Sequence, residues 1–397
     1  MITVEEAERI VLSQLRDYGV EAIGFEHAAG RILAEDIVAD RNLPPFNRVT
    51  VDGIAISARS FSSGNWHFKI AGTQAAGDQP LNITAGDECV EIMTGAALPP
   101  SADTVIRYED IAIKDGLAEI NIEDISIGQN IHFEGADKKR GDVLVKAGRQ
   151  ITAPIVGIAA SVGKAELMVK KLPRVVVITS GDELVNVEDC PGDYQIRRSN
   201  NYTVSAVLQK QGVAVSTLHI PDDELVTEQV LEQCINNYDV LILSGGVSMG
   251  KFDYIPKALE NLQITKLFHK VKQRPGKPFW FGGHANGAVV FAFPGNPVAT
   301  FMCLHKYFLN WLYAGLGVSV TKPIYAVLAS DFAFKPDLSY FLQVALSHDE
   351  QARLVATPVE GNGSGDFANL ADSDAFIELP AGRDNFMAGE LFKVISF

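Results

Sequence analysis

Two stretches decide the fold: residues 174–184 read RVVVITSGDEL, and residues 240–250 read VLILSGGVSMG. Each contains an uninterrupted apolar run that gives way to small and polar residues. Apolar runs of this length between turn residues are typical of strands that are buried on both faces. The small and polar residues after each run are expected to form loops at the strand ends.

Strands and helices alternate throughout this part of the chain. The predicted elements are strand 174–178, helix 201–211, strand 213–220, helix 222–236, strand 239–243, helix 252–262, strand 288–293 and a helix after Pro297. This alternation predicts a parallel sheet with helices on both faces. Ligands bind such sheets at the carboxyl ends of the strands.

The flanking sequence has other patterns. Thr3 and Glu6 form a capping box, which predicts an amphipathic helix ending near Gly19. Residues 54–133 are short β-like runs, among them a hairpin with Asp115-Gly116 at its turn. Residues 152–163 predict a buried helix, and residues 321–397 predict a small all-β unit.

The composition is that of a globular protein with several domains. The chain has 397 residues, of which 47% are hydrophobic, and a formal net charge of −15. This charge disfavours a general nucleic-acid or anionic-membrane binder, because either needs a broad basic face. Four widely spaced cysteines, no signal-peptide pattern and an uncharged stretch (278–305) interrupted by glycine and proline predict a soluble, cytoplasmic protein.

The charge is unevenly distributed. Residues 261–330 contain no acidic side chain and carry +7, which leaves −22 for the rest of the chain. The basic residues of this window are Lys266, Lys270, Lys272, Arg274, Lys277, Lys306 and Lys322. They form either a solvated strand face or an anion site, since phosphates and oxyanions need concentrated positive charge.

Loops at the predicted strand ends favour the anion site. Ser244-Gly245-Gly246-Val247-Ser248 forms either a tight turn or a nest of backbone amides for an anion. Arg274-Pro275-Gly276-Lys277-Pro278 and Pro294-Gly295-Asn296-Pro297 are rigid loops that could equally be structural turns.

Acidic residues lie in the loops of the same predicted sheet. They are Asp182-Glu183, Asp222-Asp223 and Asp253. Clustered carboxylates beside a phosphate site are what Mg²⁺ binding needs. Asp222 could instead be a helix N-cap, and local sequence makes Asp52-Gly53 a turn and Ser364 a loop residue.

A series of motifs runs in order along nearly the whole chain. They are Pro45-Phe46-Asn47, Val51-Asp52-Gly53, Ile92-Met93-Thr94-Gly95-Ala96, Gly135-Ala136-Asp137, Ser180-Gly181-Asp182-Glu183-Leu184, Ser199-Asn200, Ser244 to Gly250, Asp253, Pro275 to Pro278, Pro294 to Pro297 and Gly363-Ser364-Gly365. Together they resemble the molybdopterin molybdenumtransferase family, which includes MoeA and the E domain of gephyrin.

The resemblance implies a multidomain α/β protein of four parts. They are a linker domain (1–22, completed by about 40–53 and 135–171), a β-rich domain (54–134, with about 23–39), a molybdopterin-binding parallel α/β domain (172–318) and a C-terminal β-barrel-like domain (319–397). It also implies a homodimer with the site between subunits, and transient contact with an adenylyltransferase or with proteins that accept the cofactor.

The implied reaction takes adenylylated molybdopterin and molybdate to molybdenum cofactor and AMP, with Mg²⁺ or another divalent metal. The resemblance assigns catalysis to Asp52, Thr94, Asp137, Lys270, Arg274 and Lys277. It assigns substrate binding to Asp222, Ser244, Gly245, Gly246, Ser248, Pro294, Asn296, Pro297 and Ser364, and the metal to Glu183 and Asp253. Lys270, Arg274 and Lys277 would neutralise the anionic substrates.

Five positions depart from the family pattern. Arg274 stands where lysine is usual, Val51 replaces methionine, and Ala299 replaces a serine, while Leu338 and Gln343 stand where arginines are frequent. Two other functions remain open at this stage. One is adenylylation of molybdopterin, which needs only the α/β domain, and the other is a non-catalytic scaffold like part of gephyrin's role.

Overall fold

Helices and strands are taken from a computed structural model that describes residues 1–247, 253–318, 323–359, 361, 363 and 365–397. The α-helices are α1 (Val4–Leu12), α2 (Ala58–Ser62), α3 (Ala153–Ser161), α4 (Asn200–Lys210), α5 (Glu224–Asn237), α6 (Ile255–Asn261), α7 (Pro297–Cys303) and α8 (Leu309–Gly315). A π-helix, Leu304–Phe308, joins α7 to α8, and short 3-10 helices cover Phe25–His27, Tyr108–Asp110 and Ala368–Asp372.

Strands occur in every part of the chain. They are β1 (Val20–Gly24), β2 (Ile37–Val38), β3 (Arg48–Val49), β4 (Gly53–Ile56), β5 (His67–Gln74), β6 (Glu88–Ile92), β7 (Thr104–Arg107), β8 (Ile111–Lys114), β9 (Leu117–Ile120), β10 (Ile131–His132), β11 (Val143–Val145), β12 (Glu166–Lys170), β13 (Val175–Ser180), β14 (Leu184–Val185), β15 (Ile196–Arg197), β16 (Val215–Ile220), β17 (Val240–Ser244), β18 (Thr265–His269), β19 (Gln273–Arg274), β20 (Trp280–Gly283), β21 (Val289–Phe293), β22 (Tyr325–Leu328), β23 (Phe332–Ala333), β24 (Ser339–His348), β25 (Leu354–Pro358), β26 (Ala375–Leu379), β27 (Asn385–Phe386) and β28 (Leu391–Ser396).

The chain divides into two units. Unit 1 comprises residues 1–34, 148–152 and 167–397, and unit 2 comprises residues 35–147 and 153–166. Among the described residues, no helix combines the length and the apolar character that crossing a membrane requires.

The central sheet of unit 1 has the strand order β16-β13-β17-β21-β20-β18. The first four strands are parallel, and every residue of β13, β17 and β21 is buried. Separate apolar clusters cover its two faces. The parallel pairing of these four strands confirms the predicted parallel sheet. Strands β18 and β20, which the sequence pattern did not predict, add an antiparallel edge. In β18, Lys266 and His269 interrupt the apolar residues, so the run that marks a buried strand is absent.

Helix α1 packs on this sheet through Val4, Ala7 and Val11. The predicted capping box is confirmed, because Thr3 Oγ1 accepts from Glu6 N–H and Glu6 Oε2 accepts from Thr3 N–H. The predicted end near Gly19 is wrong. The helix ends at Leu12, and Ser13 closes it by donating its hydroxyl to Ile10 O.

The C-terminal part of unit 1 contains a closed barrel. Its five strands pair in the order β24-β25-β22-β28-β26 and back to β24. The short strand β19 pairs in parallel with β24, with Arg274 opposite Tyr340. This pairing attaches the Arg274 loop of the α/β part to the barrel.

Lys306 lies in the core of unit 1, although the sequence analysis counted it in the basic window. Its side chain is 2% exposed, and Nζ lies 3.1 Å from Glu8 Oε2 and 3.0 Å from Glu378 Oε2. The charge of Lys306 is therefore neutralised by carboxylates from α1 and β26. Lys272 is paired as well, with Asp337. These two lysines are not available to an anion.

We expect Lys306→Met to lower the free energy of unfolding by about 2–4 kcal/mol, because it leaves two poorly solvated carboxylates without a counter-charge. Urea denaturation of the purified protein measures this effect. Adding Glu8→Gln and Glu378→Gln to the same chain should recover much of the loss. A loss below about 0.5 kcal/mol would show that the ion pairs of Lys306 contribute little to the free energy of unfolding.

Unit 2 is built on a six-stranded sheet in the order β7-β4-β6-β5-β9-β8. The predicted hairpin is confirmed: β8 pairs with β9, and Asp115 and Gly116 both have positive φ at the turn. Helix α3 forms where a buried helix was expected, but only Ile155 and Ala159 of its nine residues are buried. The prediction of burial is therefore wrong for the single chain.

Candidate functional site

A cavity of about 860 Å³ opens at the carboxyl ends of β13 and β17 in unit 1. The strand-end residues Ser180 and Ser244 contribute to its wall. Among the residues expected to bind substrate or metal, those that line it are Glu183, Asp222, Ser244, Gly245, Gly246, Asp253, Asn296 and Pro297. The structure thus brings most of the expected unit 1 residues to one cavity. Pro294 lines a smaller neighbouring cavity instead, and its carbonyl accepts from Thr300 Oγ1 at 2.6 Å.

Gly245 and Gly246 are required here by steric constraints. Both have positive φ, and a Cβ on Gly245 would lie 3.0 Å from Ser180 O. On Gly246 it would lie 2.7 Å from both Ser180 Oγ and Ile255 Cδ1. Only glycine lets this loop pass so close to the end of β13. Ser248, the last expected residue of the loop, lies outside the described residues, as does Ser364.

Asn200, at the start of α4, connects two of the loops around the cavity. Its Nδ2 donates to Ser244 Oγ (2.8 Å) and to Gly295 O (2.7 Å). In the sequence, Asn200 belongs to the Ser199-Asn200 motif, for which no role was predicted. A polar residue opening a helix at the edge of a parallel sheet was the available signal.

Two arginines were missed altogether. Within the described part of the chain, the basic side chains that line the large cavity are Arg197 and Arg198. The Arg198 Nε atom is buried and has no hydrogen-bond partner among the described residues. Its guanidinium does bond to Asn186 Oδ1. The two arginines were not predicted because they lie outside the basic window at 261–330, on which the expectation of an anion site rested.

A second cavity, of about 340 Å³, adjoins the large one and shares Gly295 and Asn296 with it. Arg274 and Lys277 both line the small cavity. The departures Ala299 and Leu338 line it too. Gln343, the remaining departure in this region, lines a third cavity of about 330 Å³ that also includes Arg274.

Lys270 does not line any of these three cavities. Its φ is +74°, and it follows His269, whose Nε2 bonds to Val247 O at 3.1 Å. Burial, more than the neighbouring lysines, lowers the pKa of His269. Lys270 therefore follows a residue that contacts the end of the glycine loop, and its side chain is not part of the lining that Arg274 and Lys277 contribute to the small cavity.

The acidic loops present oxygen atoms to the large cavity. Asp222 and Asp182 each accept a hydrogen bond from the other's backbone N–H, which joins the loops after β13 and β16. The N-cap of α5 is Asp223, so the alternative role of Asp222 as that cap is wrong. No group of three or more metal-ligating side chains occurs among the described residues. Glu183 and Asp253 fit a cation such as Mg²⁺ that keeps water and phosphate ligands.

In unit 2 the structure brings Asp52 and Thr94 together from positions 42 residues apart. Asp52 Oδ1 accepts from the Thr94 N–H (2.6 Å) and from the Thr94 hydroxyl (2.8 Å). These two bonds hold the pKa of the exposed Asp52 carboxyl below its usual range. Asp52 is therefore a carboxylate at neutral pH, with its other oxygen free of hydrogen bonds within the described part of the chain.

Asp137 belongs to a different cluster of unit 2. Arg48 Nη2 lies 3.2 Å from His132 Nδ1, and His132 Nε2 lies 2.9 Å from Asp137 Oδ1. Because the guanidinium can only donate, Nδ1 accepts and Nε2–H donates to the carboxylate. His132 was missed, since no sequence pattern pairs it with a residue on another strand.

The whole chain is similar to known proteins. Sequence profiles described as "MoeA N-terminal region (domain I and II)", "Probable molybdopterin binding domain" and "MoeA C-terminal region (domain IV)" match residues 2–163, 176–314 and 325–397. A Synechocystis protein named molybdopterin molybdenumtransferase is 40% identical over 395 residues, covering 99% of each chain. A Staphylococcus aureus protein of the same name is 31% identical over 401 residues, covering 99% of this chain and 95% of that one.

The fold is also similar to that of a solved structure. A Pyrococcus horikoshii protein described as a molybdopterin biosynthesis MoeA protein aligns with a TM-score of 0.84 and 28% identity. The alignment covers 100% of this chain and 99% of that one.

Proposed function

The chain belongs to the molybdopterin molybdenumtransferase (MoeA) family, and we propose that the cavities of unit 1 and Asp52 of unit 2 carry out the reaction. The enzyme acts in molybdenum cofactor biosynthesis, where it inserts molybdate into adenylylated molybdopterin and releases AMP. Neither the adenylyltransferase nor the scaffold is favoured, since the relatives match over the full length and carry the transferase name.

The observation that carries this assignment of the site is the pair of adjoining cavities. The first cavity is large, and the second is small and lined by two cationic side chains. Both cavities share Gly295 and Asn296. A bulky pterin nucleotide needs the first, and a compact dianion needs the second. Arg274 and Lys277 supply opposite charge to molybdate in an otherwise negative protein.

The phosphate groups of the pterin substrate need charge as well. We assign Arg197 and Arg198 to them, because these residues line the large cavity and arginine is suited to bidentate phosphate recognition. Glu183 and Asp253 would hold Mg²⁺, which neutralises phosphoryl oxygens when bound. Asp52 is the carboxylate that positions a water for cleavage of the phosphoanhydride, the step that releases AMP.

We further propose that the enzyme works as a homodimer, with the Asp52 of one chain acting on substrate in the cavity of its partner. The exposed apolar helix α3 supports an interface between copies, because seven of its nine residues are not buried in the single chain. Contacts with the adenylyltransferase and with acceptor proteins would be transient. The buried free thiols of Cys89, Cys234 and Cys303 suit a reducing cytoplasm.

Two single substitutions should separate the substrates. Arg274→Gln should raise KM for molybdate by about tenfold to a hundredfold while KM for the pterin substrate changes less than about threefold, because a charge-assisted contact is lost. Arg198→Gln should do the reverse. Molybdate-dependent release of AMP, measured at varied concentrations of each substrate, gives both constants.

Arg9→Gln is the matched control, since Arg9 is exposed on α1 and lines none of the three cavities. It should leave both constants at the parent values. Equal changes in both KM values for either variant would show that the two cavities do not divide the substrates. Consumption of ATP with molybdopterin would identify an adenylyltransferase, and no turnover at all would identify a scaffold.

A further inference from the structure

The loop from Arg274 to Lys277 carries both cations of the small cavity, so its shape determines where they lie. Its ends are held by backbone hydrogen bonds: Val271 N–H donates to Lys277 O (2.9 Å), and Phe279 N–H donates to Gly276 O (3.2 Å). On the barrel side, Gln273 and Arg274 pair with β24. The position of the loop's middle depends on what lies beneath it.

The side chain of Gln273 fills that place. Gln273 is completely buried, and its Nε2 donates to Gly276 O (3.2 Å) and approaches Cys303 Sγ (3.5 Å). Its Oε1 accepts from the Tyr307 hydroxyl. A buried amide is stable only when its donors and acceptor are satisfied, and here every group has a partner.

The loop also packs tightly against this amide. Gly276 has a φ of +87°, and a Cβ there would lie 2.6 Å from Gln273 Nε2 and 2.6 Å from Cys303 Sγ. The backbone of the loop therefore rests directly on the Gln273 and Cys303 side chains. Any change in the Gln273 amide is transmitted to Gly276, which lies between the two cations.

Tyr307, the partner of the Gln273 amide oxygen, is buried in the core. Tyr307 lies in the π-helix Leu304–Phe308, all of whose residues are buried. Its hydroxyl faces Gln273 Oε1, and its ring packs on Phe279 with centroids 4.9 Å apart. Gln273 thus connects the cation-bearing loop to a fully buried helical segment of the core.

We propose that Gln273 is a positioning residue for molybdate: its amide holds Gly276 so that Arg274 and Lys277 converge on the oxyanion. This inference rests on the proposed function, in which these two cations bind molybdate. Gln273 does not touch the substrate. Its contribution is to fix the loop before molybdate arrives, so that less ordering accompanies binding.

Two variants test the inference. Gln273→Met keeps the volume and removes all three polar contacts, while Gln273→Glu, assayed at a pH at which its buried carboxyl is ionised, keeps the acceptor for Tyr307 and removes the donor to Gly276. Both should raise KM for molybdate by about tenfold and leave KM for the pterin substrate within about twofold. KM for molybdate distinguishes a positioning role from a purely structural one. A structural defect lowers the amount of active enzyme and therefore the maximal rate, but it leaves KM unchanged.

Gln74→Met is the matched control. Gln74 is also completely buried, and its amide is bonded to Ala97 O and to Leu81 N–H, but it lies in unit 2. It should lower the melting temperature without changing KM for molybdate. If either Gln273 variant fails to fold, Tyr307→Phe removes one contact of the amide and should raise KM for molybdate two- to threefold.

An unchanged KM for molybdate in the folded variants, or equal changes for both substrates, would overturn the role of Gln273. The parent enzyme distinguishes this failure from a wrong function. If the parent releases AMP in a molybdate-dependent way and the variants keep its KM, only the inference about Gln273 is lost. If the parent shows no such release, the proposed function itself is wrong.

Discussion

Asp52→Asn should reduce molybdate-dependent AMP release by about a thousandfold, the scale expected when a positioned carboxylate is removed from a proton-transfer step. The amide keeps the size of the side chain and its acceptor oxygen for the Thr94 N–H and hydroxyl, so the local fold should persist. The negative charge is lost. Binding of the pterin substrate, measured by fluorescence titration, should stay within about threefold of the parent, because its proposed contacts lie in unit 1.

Thr94→Val is the companion variant. It removes the hydroxyl bond to Asp52 Oδ1 and keeps the backbone one, so the pKa of Asp52 should rise toward its ordinary value. Activity at neutral pH should fall much less than in Asp52→Asn, since the carboxylate stays ionised there. AMP release by Asp52→Asn at the parent rate would rule out the proposed role of this carboxylate.

The Asp52→Asn variant also tests whether the enzyme works as a homodimer. When Asp52→Asn chains are mixed with Arg274→Gln/Lys277→Gln chains and allowed to exchange subunits, about a quarter of the parent activity should return. Half of the dimers are then mixed, and each has one site with an intact cavity and an intact Asp52 from the other chain. Each variant alone should stay inactive at low molybdate. No recovery after exchange would contradict a site shared between subunits.

Gly53→Ala should destabilise unit 2 by more than about 4 kcal/mol, among the largest effects of any single substitution. A Cβ at this position would penetrate the Ile106 carbonyl oxygen and lie 2.8 Å from Arg107 Cα. Both atoms belong to β7, which pairs with β4 on one side while β6 pairs on the other. Neither strand can withdraw without breaking the ladder, so the clash cannot be relieved locally.

Urea unfolding measures the loss, and hydrogen exchange at the β4 amides locates it. Gly24→Ala is the control, because a Cβ there meets nothing within 4 Å and Gly24 has a negative φ. It should leave stability within about 1 kcal/mol of the parent. If Gly53→Ala unfolded at the parent urea concentration, close strand approach would not be the reason for glycine after Asp52.

The sequence predicted those features that depend on neighbours along the chain. The apolar runs of β13 and β17 and the capping box of α1 are of this kind, because burial on two faces and local capping leave periodic or fixed-spacing patterns. The edge strand β18 was missed, since its exposed face carries polar residues that hide the strand. The end of α1 was misplaced because helix termini depend on a few local bonds, here that of Ser13.

The grouping of candidate site residues could be predicted where motifs coincide with strand ends, whereas contacts that depend on distant pairing could not. Glu183, Asp222 and the Gly245 loop fall at carboxyl ends of strands, which the alternation of elements already indicated. Nothing local relates Asp52 to Thr94 or Arg48 to His132, because long-range strand pairing brings them together. Lys306 shows the reverse error, since charge counted along the chain ignores neutralisation by partners from other elements.

The pairing of β19 with β24 has a consequence for how substrate preference can evolve. Leu338, from the barrel segment just before β24, lines the small cavity proposed for molybdate, whereas Gly365 and Phe367, from a later segment of the C-terminal part, line the large cavity proposed for the pterin substrate. Under this proposal, substitutions at Leu338 should change the choice among tetrahedral oxyanions, such as molybdate and tungstate, more than they change recognition of the nucleotide. Two different segments of the C-terminal part would then bear on the two selectivities, the one before β24 on the oxyanion and the one around Phe367 on the organic substrate.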